Sequence, residues 1–127
     1  RGYGRAAITA ARLLSTRTVV EPRDAWNIAV EAEFPHSVAL REKACPRASF
    51  LGLCQSGKLR SVPAGKYTKS LANTSYALKA IKILGEDSSL SETPEKLWQA
   101  VIGNEEKRHN SQMDVVTALW INQLISL

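Results

Sequence analysis

With 127 residues, of which 44% are hydrophobic and 23% charged, the chain has the composition of a single soluble globular domain that buries about two-thirds of its unfolded surface. No apolar run approaches the length of about 18 residues that a membrane-spanning helix needs, so a membrane partner is not expected. The net charge of +5 is gathered in one place: residues 41–69 hold seven Lys or Arg (41, 43, 47, 58, 60, 66, 69) against Glu42 alone, giving +6 there and −1 over the other 98 residues.

Residues 3–14 place Ala7, Ala10, Ala11 and Leu14 on one helical face and Arg5, Thr9 and Arg12 on the other. Arg5 and Arg12 interrupt any continuous apolar core, so this stretch reads as a structural helix and not as a signal peptide. Pro22 stands at a first-turn position before a second helix over Arg23 to Phe34, with Ala25, Ile28, Ala29 and Ala32 inward and Pro35 as its stop. Pro46 opens a third helix that Gly57 closes, with Phe50, Leu51 and Cys54 on its apolar stripe. Pro63, Gly65 and Asn73 then mark turns, and the pattern is compatible with a short hairpin pairing Lys58–Val62 with Lys66–Lys69.

A fourth helix is expected from about Thr74 to Leu84, stopped by Gly85, with Ala77, Ala80, Ile81 and Leu84 inside. Thr93 is placed to cap a fifth helix beginning at Pro94, whose core residues are Leu97, Trp98, Val101 and Ile102. Asn110 is placed to cap a sixth that runs to about Ile125 and is apolar around most of its circumference, which makes it the most buried element. The expected fold class is all-α, with about six helices.

The two halves resemble each other. EPRDAWNIAV (21–30) lines up with TPEKLWQAVI (93–102), Tyr3 lines up with Tyr76, and Gly52-Leu53-Cys54 lines up with Ala118-Leu119-Trp120 at an offset of 66. One domain over residues 1–127 is expected, built from pseudo-repeats of about 3–57 and 76–125, each three helices too small to bury its own apolar face. Under this alignment Lys43 to Arg47 and His109 to Met113 hold equivalent places at helix N-termini, where unpaired amides and the helix dipole favour an anion.

Cys45 and Cys54 lie nine residues apart, about 13 Å along a helix, which is too far for a bridge and fits a reducing cytoplasm. Cys45, between Lys43 and Arg47 at a helix start, has the surroundings of an activated thiol, but the simpler reading, a small residue at a capping position, is preferred. His109 and Asp114 with Gln112 offer an acid–base set, yet no nucleophile, Walker or metal-ligand spacing is present, so no catalytic residue, metal or cofactor is assigned.

The strings REKACPRASFLGLC, VPAGKYT and HNSQMDVVTALW resemble a family of small bacterial proteins known as a domain of unknown function, some of them carried in mobile gene cassettes. The resemblance covers the whole chain and implies one cytoplasmic domain; it brings no activity and no site residue with it.

The function expected is therefore non-enzymatic binding of an anionic ligand or partner through Lys43, Cys45, Arg47, Lys58, Arg60, Lys66, Tyr67, His109, Asn110 and Gln112. One alternative is a nucleic-acid binder of winged helix-turn-helix type, with the third helix as reader and residues 58–69 as a basic wing. Another is a small-molecule binder or enzyme in which Lys43, Cys45, His109 and Gln112 converge. Residual apolar surface leaves a homodimer open.

Overall fold

A computed structural model describes residues 2–127, and its regular structure is helical. The order is α1 (Gly2–Ser15), α2 (Pro22–Glu33), α3 (Val38–Arg41), α4 (Ala44–Gln55), α5 (Leu71–Glu86), a 3-10 turn (Ser88–Glu92), α6 (Pro94–Ile102) and α7 (Gln112–Ile121). Six of these are substantial; α3 is a single turn started by Ser37, whose Oγ accepts from Leu40 N at 3.2 Å.

The apolar periodicity decides which faces turn inward. In α1 the small residues Ala6, Ala7, Ala10 and Ala11 are buried with Tyr3 and Leu14, and in α5 and α6 the buried sets include Ala77, Ala80, Ile81, Leu84 and Leu97, Trp98, Val101, Ile102. In α2 the face is rotated from the expected one. Trp26 and Val30 are buried with Ala25 and Ala29, whereas Ile28 is 49% exposed and Ala32 faces solvent. Burying Trp26 together with Val30 removes more apolar area from water than burying Ile28 with Ala32 would, which favours the observed orientation.

Helix ends differ from the expected ones where side chains cap locally. α5 begins at Leu71 because Ser70 Oγ accepts from Asn73 N at 3.3 Å, and it continues past Gly85 to Glu86. α7 stops at Ile121, after which Gln123 adopts a left-handed conformation (φ 59°) and the chain turns out of the helix. The hairpin at 58–69 does not form. Leu59 pairs instead with Ile125 in one antiparallel bridge, and no extended sheet is present among the described residues.

That bridge reveals how the halves are arranged. Arg60 N donates to Leu124 O at 2.9 Å and Ser126 N donates to Lys58 O at 2.7 Å, and each bond becomes the other when 66 is added to or subtracted from its residue numbers. The same offset relates Lys58 N→Leu53 O to Leu124 N→Leu119 O, both 2.9 Å, and the left-handed Gly57 (φ 72°) to Gln123. The ends of α4 and α7 thus meet across an approximate two-fold axis. Around it the packing is reciprocal: α1 lies on α7, α5 lies on α4, and α4 lies on α7.

Both crossings need a missing side chain. A Cβ on Gly4 would stand 3.0 Å from Ala118 Cβ, and one on Gly52 would stand 2.9 Å from Thr74 Cα. One connected core of buried residues runs through both halves, with Trp26, Phe50, Leu53, Leu97, Trp98, Met113 and Leu119 among its sealed side chains.

Candidate functional site

The second half shows how this architecture closes the space between its second helix and the start of its third. Trp98 Nε1 donates to Lys107 O at 3.0 Å, fastening residues 103–110 over α6. His109 completes the closure. Its Nε2 accepts from Met113 N at 3.1 Å, so that nitrogen carries no proton, and Nδ1 donates to Glu95 at 2.7 Å. The ring also sits 5.4 Å from that of Trp98. Gln112 is buried, with Oε1 accepting from Asn110 N at 2.6 Å and Nε2 donating to Asn73 Oδ1 at 3.3 Å. At the start of α7 the Met113 amide thus has its acceptor within the protein.

The corresponding place in the first half is built from opposite chemistry. Seventy-two residues before Glu95 stands Arg23, and sixty-six before His109 and Met113 stand Lys43 and Arg47. Lys43, the N-cap residue of α4, makes no side-chain cap; its Nζ lies 5.5 Å over the Tyr3 ring, whose hydroxyl donates to Leu40 O at 2.9 Å. Trp26, the counterpart of Trp98, is sealed against Phe50 at 5.2 Å, and its Nε1 has no acceptor. An unsatisfied buried donor of this kind costs about 1–3 kcal/mol.

Beside these residues lies a groove of about 290 Å³ bordered by Arg23, Arg47, Tyr67, Lys69, Ser70 and Asn73. Arg23, Arg47 and Lys69 form no ion pair among the described residues, where Arg5 pairs with Glu33 and Glu95 is hydrogen-bonded to His109. Beyond Arg23 and Arg47 the groove continues past Asn27 and Arg41, where Glu31 and Glu42 lower the positive potential. Arg41 is tied down there, with Nη1 donating to Phe34 O at 2.9 Å and Pro35 O at 3.0 Å.

The wall formed by residues 63–70 is held by Gln55. Its Oε1 accepts from Tyr67 N at 2.7 Å and Thr68 N at 3.0 Å, and its backbone carbonyl accepts from Gly65 N at 3.2 Å. Tyr67 Oη donates to Pro63 O at 3.0 Å. A segment without regular structure therefore presents Lys69 and Ser70 at fixed positions.

Of the residues singled out from sequence, Arg47 and Tyr67 line this groove, and Gln112 reaches its wall through Asn73. His109 and Asn110 belong to the closed start of α7. Lys58 is half-buried at the bridge, Lys66 is exposed, and Arg60 lies in a different cleft with Nε donating to Ile125 O at 3.2 Å. Cys45 is half-buried at the start of α4; Cys54 is sealed in the core, where burial pushes its thiol pKa up. Both cysteines are free.

Two expectations give way. A winged-helix arrangement is not formed, because α4 is a core element buried from Ala48 to Cys54 and residues 58–69 make no wing. Lys43, Cys45, His109 and Gln112 share no cavity, each having its own surroundings on Tyr3, Ser49, Glu95 and Asn73. Arg23 and Ser70 were not assigned to a site from the sequence, and Asn73 was read only as a turn marker. A signal for Arg23 was present, since the alignment of residues 21–30 with 93–102 sets an arginine against a glutamate one turn before a shared tryptophan.

Among the described residues no group of three or more His, Cys, Asp or Glu is placed to hold a metal ion, and no helix is long and apolar enough to cross a membrane. No curated protein and no solved structure matches the chain. The model of a family of unknown function, DUF6979, matches residues 1–126, and the chain belongs to that family.

Proposed function

We propose that this protein is a non-enzymatic binding module for an oxyanion-bearing ligand, held in the groove between α2, the start of α4 and residues 67–70. The observation that carries the reading is the contrast between the halves. Where Glu95 and His109 close the second half from within, the first half offers Arg23, Lys43 and Arg47 beside a helix start that no side chain caps. An anion there would take the place of the missing acceptor, receiving amides of the first turn of α4 and the guanidinium groups of Arg23 and Arg47. This reading treats the halves as copies of one ancestral three-helix unit, of which one kept a closed helix start and the other became a site.

Inorganic phosphate titrated calorimetrically at low ionic strength tests it. Each charged hydrogen bond contributes about 1.5–3 kcal/mol, so Arg23→Gln with Arg47→Gln should weaken binding at least about tenfold. Arg60→Gln, in the other cleft, should leave it unchanged. Absence of saturable binding, or an equal loss on Arg60→Gln, overturns the assignment.

A further inference from the structure

The two parts of the basic groove meet at Arg23 and Arg47 and differ in charge. Around the start of α4, in about 290 Å³, Lys69 is the third cation. Past Asn27 and Val30, in about 560 Å³, Glu31 and Glu42 stand with Arg41, whose Nη1 is turned onto Phe34 O and Pro35 O. Among the described residues neither Glu31 nor Glu42 forms an ion pair, and neither do Arg23 and Arg47. Glu31 follows Arg23 by eight residues, which sets it about 12 Å further along α2. That exceeds the screening length of about 8 Å at physiological salt, so Glu31 does not cancel the arginine end and each end keeps its own charge.

We propose that the groove binds an elongated zwitterion. Its oxyanion is held by Arg23, Arg47 and Lys69, and an ammonium or guanidinium group about 10 Å away lies between Glu31 and Glu42. The inference rests on the anion-binding reading above and adds the second end of the ligand. Asn27 and Val30 line the stretch between, the one able to hydrogen-bond a peptide-like spacer and the other to cover methylenes. A polyanion fits poorly, because a nucleic-acid strand, charged about every 3.4 Å, would bring phosphates against Glu31 and Glu42. Both glutamates are exposed, so the cationic end contributes selectivity more than affinity.

The probes are hexyl phosphate and 6-aminohexyl phosphate, which differ only in the terminal ammonium, titrated calorimetrically into the full chain at low ionic strength. The amino phosphate should bind about fivefold more tightly. Glu31→Gln with Glu42→Gln, at two exposed positions, should remove that advantage while hexyl phosphate binds no more weakly than before. A phosphoserine–alanine–lysine peptide carries the same two charges on a backbone spacer, and whichever zwitterion binds more tightly tells a peptide source from a small molecule. Equal affinities for the two phosphates in the unaltered protein, or an advantage that survives the double substitution, overturn the zwitterion and leave the anion site standing. If neither probe nor inorganic phosphate saturates, both readings fall.

Discussion

Replacing His109 by alanine should destabilise the protein far more than replacing its counterpart Lys43. His109 Nε2 supplies the acceptor for Met113 N, and losing a helix cap costs about 1 kcal/mol. Its imidazole, 8% exposed, also packs near the Trp98 ring, which adds about 1 kcal/mol, while the pair with the 73% exposed Glu95 contributes less than about 0.5 kcal/mol. The sum is about 2 kcal/mol. For 127 residues the unfolding entropy is about 0.27 kcal/mol per kelvin, so Tm should fall by about 7 °C. Lys43 caps nothing and offers only a half-exposed cation–π contact with Tyr3, worth about 0.5 kcal/mol, so Lys43→Ala should lower Tm by about 2 °C. Calorimetric scans of both variants in anion-free buffer decide the matter. Equal shifts would refute the claim that one helix start is internally closed and the other is not.

Three further outcomes follow from the geometry. Gly52→Val, which sets a side chain against the Thr74 backbone, should cost about 1–3 kcal/mol by urea unfolding, and an unchanged midpoint would deny the close α4–α5 crossing. Trp98→Phe removes a satisfied donor and Trp26→Phe an unsatisfied one, so the first should be the more destabilising by about 1–2 kcal/mol in anion-free buffer. Gln55→Ala takes the acceptor from Tyr67 N and Thr68 N, and should speed tryptic cleavage after Lys66 and Lys69 several-fold while lowering stability by only about 1–2 kcal/mol.

Much of the helical order can be read from periodicity and punctuation, because Pro22, Pro94 and the apolar stripes of α1, α5 and α6 act locally. What could not be read depends on contacts between distant residues. The early start of α5 rests on Ser70 and the early stop of α7 on the pairing of Leu59 with Ile125, a partnership 66 residues apart in sequence. The basic segment 41–69 is a cluster in sequence that the fold divides, sending Arg60 to one cleft and Arg47 with Lys69 to another. Arg23 joins the latter from a helix whose own charge pattern is unremarked. Charge density along a chain therefore indicates that a basic surface exists, while tertiary packing selects which cations share it.

The most direct test of anion binding in the first half is a phosphate titration of the labelled chain, comparing amide signals at the two equivalent helix starts. Binding in the groove predicts saturable shifts of Ala44, Cys45, Arg47 and Lys69, with Gln112 and Asp114 at the closed start moving little. Shifts of equal size at both starts, or none that saturate at either, would contradict it.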